Sequence, residues 1–366
     1  MTMSRILHGP APFKLAVFGA NIAGGTNLTY AAGPPSVTWD ESLRIAQAAD
    51  TAGFDALIPV ARWKNMGASD QPDRHRTFET FTWAAGLAAV TRNLDLFATV
   101  HVPMTHPLTA AKMAATVDHI AGGRFGLNVV AGWNALEFAM FGLEQEEHDE
   151  RYARADEWMT FVQQAWANDH PFDFDGRFYS GRAVFSQPPP LAAPAPVVMS
   201  AGGSPAGRSF AAKHANINFI ILPEQPLIAP TVQALKSDAY HSTGRNILVF
   251  GAVHIVCSDT EAEARALYHY AVHEQGDWQA AATALSLLVP NSQSADYDRA
   301  GMGAAIIGGF FATPLVGTPE QVVQSMSDIA AAGVDGVAVS WIDYEEGISR
   351  YARDLYPLMV EAGLRV

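Results

Sequence analysis

Gly123-Arg124-Phe125-Gly126-Leu127-Asn128-Val129-Val130-Ala131-Gly132-Trp133-Asn134 is the stretch from which the rest of this chain can be read. It begins at a helix stop, Gly122-Gly123, continues as a short apolar strand, and ends in a small-residue loop. Leu127, Val129 and Val130 suit a strand buried on both faces. Asn128 interrupts that apolar run. A buried amide must find partners, so Asn128 is either tied into the core or aimed at a ligand.

Upstream of this stretch the pattern predicts strands over 13–20, 55–60 and 94–100. Helices are predicted over 38–52, 78–90 and 106–120, the first opened by a capping box of Thr38 and Glu41. Downstream, 148–166 is helical, with Tyr152, Ala155, Met159, Val162 and Trp166 on one face. Strands follow over 197–201, 216–222, 247–256 and 334–341, separated by helical segments. Thr318-Pro319-Glu320-Gln321 is a second capping box with Pro at the first helical position. The alternation has no hairpin signal between consecutive strands, which implies parallel strands with helical crossovers. The segments Ala52-Gly53-Phe54-Asp55-Ala56-Leu57 and Ala332-Gly333-Val334-Asp335-Gly336-Val337 share one design: helix end, glycine cap, Asp, buried strand. About eight strand–helix units predict an α/β fold, a (β/α)8 TIM barrel. Its insertions fall after strand four, around 170–195 and around 275–312. Residues 1–366 read as a single domain, with a doubly wound open sheet as the alternative.

Composition narrows the function. Hydrophobic residues make up 49% of the 366 and charged residues 16%, which calls for a large core. The 23 basic and 37 acidic residues give a formal charge of −14, with no basic cluster, so nucleic acid and anionic membrane are poor partners. The only cysteine is Cys257, which fits a cytoplasmic protein. No segment reads as a signal peptide or membrane span. The histidines lack close metal-ligand spacing, so no metal site is expected.

In a barrel, function sits in the loops after the strands. Ala201-Gly202-Gly203-Ser204-Pro205 opens a strand into a helix start, where Ser204, backbone amides and the positive helix end suit a phosphate. The same Ser204 can equally be an ordinary N-cap. Arg151 and Tyr152 start the long helix, either as ligands or as charges near its dipole. Ala61-Arg62 follows the second strand, and a lone loop arginine is usually solvated. Asn128 with Glu137 downstream completes the set.

Taken together, several stretches resemble the bacterial luciferase-like flavin monooxygenases. These are Gly123 to Trp133, Glu147-His148-Asp149-Glu150-Arg151-Tyr152 with Glu157, the glycine loop 201–207, Phe78-Glu79, and Met113 to Asp118. The chain looks most similar to the two-component branch acting on pyrimidines, dimethylsulfone and alkanesulfonates. That resemblance implies a TIM barrel using reduced FMN and O2, with a separate NAD(P)H:FMN reductase and a homo-oligomeric state. It implies cofactor contacts from Ala61, Arg62, Asn128, Glu137, Arg151, Tyr152, Gly203 and Ser204, with Asn128 and Arg62 nearest the chemistry. Arg62 matches the sulfone and sulfonate enzymes, whereas the pyrimidine enzymes have a Lys there and a Thr sought near Val102. The expected activity is oxygenation of a small organosulfur compound or N-heterocycle. Trp63, Trp133, Phe138, Phe310 and Trp341 are candidates for an apolar substrate wall, and 276–312 for a lid. A deazaflavin-dependent dehydrogenase on the same barrel and a non-catalytic flavin-binding subunit are the rival readings.

Overall fold

The computed structural model describes residues 4–64, 66, 72–288 and 299–366. In chain order the strands are β1 (Lys14–Phe18), β2 (Ala56–Ile58), β3 (Asp95–His101), β4 (Phe125–Val130), β5 (Phe172–Asp175), β6 (Ser180–Val184), β7 (Val197–Ser200), β8 (Ile217–Ile220), β9 (Leu248–Cys257), β10 (Thr313–Gly317) and β11 (Gly336–Ser340). Eight of them, β1, β2, β3, β4, β7, β8, β9 and β11, pair in that order, all parallel. β11 returns to β1, so the sheet closes into the expected (β/α)8 barrel. Strands β5 and β6 form a separate antiparallel hairpin inside the 170–195 insertion.

Two features differ from the sequence reading. β10, built from Thr-Pro-Leu-Val-Gly, carries no strand signal because Pro and Gly are poor strand residues. It pairs with residues 253–257 of β9, above the point where β8 pairs with residues 248–251 of the same strand. The capping box at Thr38 is also incomplete. Thr38 accepts from the Glu41 amide, but the Glu41 carboxylate reaches back to the amides of Ser36 and Val37. The box at Thr318 is complete. Of the two insertion helices, Trp278–Leu288 and Arg299–Ile307, each packs into a cluster with Leu28, Val272 and the edge of Phe310. The polar run 291–298 and the loop segment 67–71 lie outside the described residues.

Strand alternation sorts the side chains. On β4, Leu127 and Val129 face the helices and join the large outer core. On β3 the outward set is Leu96, Ala98 and Val100. The inward residues change character with height. Phe97, Ile217, Phe250 and Met199 pack the lower barrel with Ile6 of the N-terminal helix Arg5–His8. Gly126 sits inward there because a Cβ would lie 2.4 Å from the Phe97 ring. One layer higher, the inward positions of β3 and β4 are Thr99 and Asn128, register partners; above them stand His101 and Val130. The sequence interruption at Asn128 therefore marks the level at which the packed plug ends.

The lower rim is held by buried carboxylates. Asp55 accepts from the Leu15 amide at 2.8 Å, from Arg365 at 2.6 Å and from Arg5 at 3.3 Å. Asp95 accepts from the amides of Arg5 and Ile6 and from the Ser4 hydroxyl. Asp335 repeats the Asp55 device, taking the Val249 amide at 2.7 Å. The shared Gly-x-Asp signature thus encodes strand-to-strand hydrogen bonds at the barrel floor.

Candidate active site

A cavity of about 430 Å³ opens above the plug at the C-terminal ends of the strands. Its size suits a small organic ligand with a cofactor ring. Phe18, Phe219, Ile220 and Ala252 form apolar walls, and Trp133 and Phe310 stand near the mouth. Its polar lining includes Arg62, Thr99, His101 and Asn128.

Asn128 is 4% exposed and donates to Thr99 Oγ1 at 3.1 Å. Thr99 passes its own proton to the Pro59 carbonyl at 2.5 Å. That fixes the Asn128 amide, and its Oδ1 has no partner among the described residues. A buried acceptor left open at a cavity wall is a place for a ligand donor. Strand alternation turns Thr99 inward beside Asn128. Within an apolar strand sequence nothing marks which face is inward, so both Thr99 and His101 escaped the sequence reading.

Arg62 follows β2, with Ala61 beside it on the cavity wall. Its guanidinium lies over the rings of Trp133 and Phe310, at 5.6 and 5.3 Å. It makes no hydrogen bond or ion pair among the described residues. Burial lowers its pKa, and the charge of Glu137 partly offsets this. A desolvated cation held only by ring faces is poised for an acceptor on a ligand.

Glu137 is not at the cavity wall. The helix Ala135–Met140 carries it inward behind His101, where it is 1% exposed. Its Oε1 accepts from the Trp63 amide at 2.9 Å, so it pins the loop that presents Arg62. Gly132, at φ +101°, allows this approach, because a Cβ would meet the Phe138 ring at 2.4 Å. The other oxygen, Oε2, lies 3.8 Å from His101 Nδ1, and both atoms are unpartnered. Burial raises the Glu137 pKa against the opposing pull of the Trp63 amide and Arg62. Burial, then the charge of Arg62, lowers His101 to about 4.

The glycine loop lies at the cavity rim. Gly203 lines the cavity and has open space where a Cβ would be. Gly202 is packed, since a Cβ there would fall 2.5 Å from the Gly207 Cα. Ser204 caps the helix Pro205–His214, accepting from the Gly207 amide at 3.1 Å. Tyr152 bonds to the Ser204 side chain from below. The N-cap reading of Ser204 is therefore correct; Pro205 has no N–H and the Gly207 amide is taken by Ser204, so Ala206 supplies the first-turn amide left for an anion. Arg208, one turn further on at the end of the same glycine-loop stretch, reaches the same cavity. Arg151 does not line the cavity; it donates to the Gly132 carbonyl, and its Nε is unpartnered.

Of the aromatic candidates, Trp133 and Phe310 line the cavity. Trp63 is on the surface against Phe141, Phe138 is packed beneath Gly132, and Trp341 is in the core against Phe54 and Tyr344. Glu157 accepts from the amides of Arg177, Phe178 and Tyr179 and so holds the hairpin turn. Among the described residues no group of three His, Cys, Asp or Glu is placed to hold a metal, and no helix is long and apolar enough to cross a membrane.

A cavity above the barrel strands, edged by a glycine loop at a helix start, is an architecture with known relatives. The profile of the luciferase-like monooxygenases matches residues 17–336. The FMNH2-dependent dimethylsulfone monooxygenase of Pseudomonas putida is 28% identical over 358 residues, 96% of each chain. The pyrimidine monooxygenase RutA of Pseudomonas syringae pv. syringae is 32% identical over 330 residues, 88% of this chain and 89% of the relative. Among solved structures, the long-chain alkane monooxygenase LadA superposes with a TM-score of 0.84 at 20% identity, covering 97% of this chain and 92% of its own. The chain belongs to the luciferase-like monooxygenase family. It is a flavin-dependent monooxygenase, with reduced FMN as cofactor and O2 as co-substrate.

Proposed function

We propose that the protein oxygenates a small, largely neutral organic molecule, an organosulfur compound or an N-heterocycle, using reduced FMN delivered by a separate NAD(P)H:FMN reductase. The carrying observation is the unpartnered Oδ1 of Asn128, a residue that lines, beside Thr99, a cavity whose rim is a helix N-terminus. The residues fit a flavin: an anion seat at Gly203, Ser204 and Arg208, and an apolar slot with a few polar groups inside. The names of the dimethylsulfone and pyrimidine relatives support the substrate class.

When bound, the reduced flavin supplies the electrons that activate O2. The chain's own residues do the rest. Gly203 and Ser204 offer backbone amides and the helix start to the phosphate, with Tyr152 bracing Ser204. Arg151 holds the Gly132 carbonyl and so fixes the loop over the cavity. Asn128, oriented by Thr99, accepts a hydrogen bond from the ring system or from substrate. Arg62 donates to an acceptor at the opposite side, and Glu137 keeps the Arg62 loop in place. Phe18, Phe219, Trp133 and Phe310 exclude water, which strengthens these polar contacts. A cytoplasmic homo-oligomer is part of the reading; the single Cys257 supports the compartment.

The test supplies purified protein with FMN, NADH and a flavin reductase under 18O2, over a panel of sulfones, sulfonates and N-heterocycles. One 18O atom per product molecule is expected. Peroxide release without labelled product across the whole panel would count against the substrate class.

A further inference from the structure

His101 has no role in flavin seating as described above, and Glu137 acts there only by pinning the loop that presents Arg62. His101 is 6% exposed and lines the cavity from the end of β3. Glu137, on the helix after β4, stands directly behind it. His101 Nδ1 and Glu137 Oε2 point at each other at 3.8 Å, and neither has any other partner among the described residues. The second carboxylate oxygen is anchored by the Trp63 amide, so Oε2 is fixed in direction.

We propose that His101 is a proton-accepting catalytic residue of the cavity and that Glu137 is its positioning residue and onward acceptor. A carboxylate facing Nδ1 sets the neutral imidazole as the Nδ1–H tautomer, which leaves the Nε2 lone pair for the cavity. In the step, an N–H or O–H group in the cavity gives its proton to Nε2, and the Nδ1 proton passes to Glu137 Oε2. The imidazole ends neutral in the other tautomer, the carboxylate ends protonated, and no electrons are transferred. At 3.8 Å the pair is beyond hydrogen-bond length, so the transfer requires the two side chains to approach by about 1 Å.

Burial, working against the neighbouring positive charges, favours the carboxylate as the onward acceptor. His101 is faced by Arg62 from the loop after β2 and by Glu137; Glu137 is faced in addition by Lys64. Burial lowers the imidazole and raises the carboxyl, so proton affinity shifts from the ring toward Oε2. A neutral imidazole at pH 7 is a free acceptor, and a carboxyl with raised pKa is able to receive. The proposal rests on the cavity being the flavin and substrate site.

The test reads the tautomer directly. Nitrogen chemical shifts of 15N-histidine-labelled protein, free of flavin at pH 7, report the protonated ring nitrogen, and His101→Asn assigns the signal. The expected result is Nδ1–H in the unmodified chain, Nε2–H in Glu137→Gln, and Nδ1–H again in Glu137→Asp. An Nε2–H tautomer in the unmodified chain, or no change in Glu137→Gln, overturns the pair. FMN binding by fluorescence quenching should stay within about threefold in His101→Asn. Coupled oxygenation should fall about 100-fold in His101→Asn, within the usual range for a lost acid–base group. Its remaining activity should lose the acid limb of its pH profile. Full oxygenation in His101→Asn overturns the proposal. Failure of the unmodified chain to bind FMN, with the tautomer shift intact, would instead sink the flavin reading and leave the pair standing.

Discussion

The two ends of the barrel use the same residue types to opposite ends. At the floor, Arg124 gives its guanidinium to the carbonyls of Leu94, Ala88 and Thr91, and Asp55 is filled by one amide and two arginines. At the top, Arg62 has only ring faces, and Glu137 has one filled oxygen and one empty. Burial alone therefore says little about a polar residue. What separates structure from function here is whether its hydrogen bonds are already spoken for.

The strongest way to break this contrast is at the floor. Asp55→Ala leaves the buried Arg365 cation without its carboxylate and the Leu15 amide unpaired, and should lower stability by about 3–5 kcal/mol in urea unfolding. A loss below about 1 kcal/mol would erase the distinction. At the top, Asn128→Val should do the reverse. It should change stability by under about 1 kcal/mol, since one neutral hydrogen bond is lost. Coupled oxygenation should fall roughly 100-fold, equivalent to about 2.7 kcal/mol of barrel-top function. Unchanged turnover would return Asn128 to a structural role.

Acid should weaken the upper barrel specifically. His101 and His254 both have folded pKa values near 4, lowered by burial from an ordinary 6.5. Between those values the folded chain binds fewer protons than the unfolded chain. The stability present above pH 6.5 is therefore lost as pH falls toward 4. His254→Asn should remove about 1.4 kcal/mol per pH unit from that slope, measured by urea unfolding at pH 5 and 6. An unaltered slope would show that His254 does not stay neutral in the fold. The smallest effect is expected at the rim. Gly202→Ala must push the loop off Gly207 and should weaken FMN binding about fivefold, or roughly 1 kcal/mol, with the fold retained. Unchanged binding by fluorescence titration would detach the loop from the cofactor.

Much of the barrel was legible because its signals are local. Gly53 and Gly333 cap helices, Thr318 and Gln321 form a reciprocal box, and the strands are continuous apolar runs. β10 was not legible, since Pro314 and Gly317 argue against a strand and only the neighbouring edge of β9 makes it one. The site divides in the same way. Asn128 announces itself by breaking an apolar run, and Gly202-Gly203-Ser204 by its turn chemistry. Thr99 and His101 do not, because Leu-Phe-Ala-Thr-Val-His reads as one buried strand until a closed barrel decides which face is inward. Glu137 was found from sequence as a site residue, but its place behind His101 depends on a six-residue helix and on Gly132. Trp341 looked like an equal candidate to Trp133, and only packing sends one to the core and the other to the cavity.

The clasp at Asp55 also bears on how the chain comes to be folded. Arg5 and Arg365 stand at opposite ends of the sequence and meet on one carboxylate and one carbonyl, that of Gly53. β11 is the last strand made, and it is the one that joins β9 to β1. Until β11 is in place the sheet is an open ribbon with β1 as a bare edge. Such an edge is a template for pairing with other chains. Docking of β11, with Arg365 clasped at the floor, is thus the event that covers that edge.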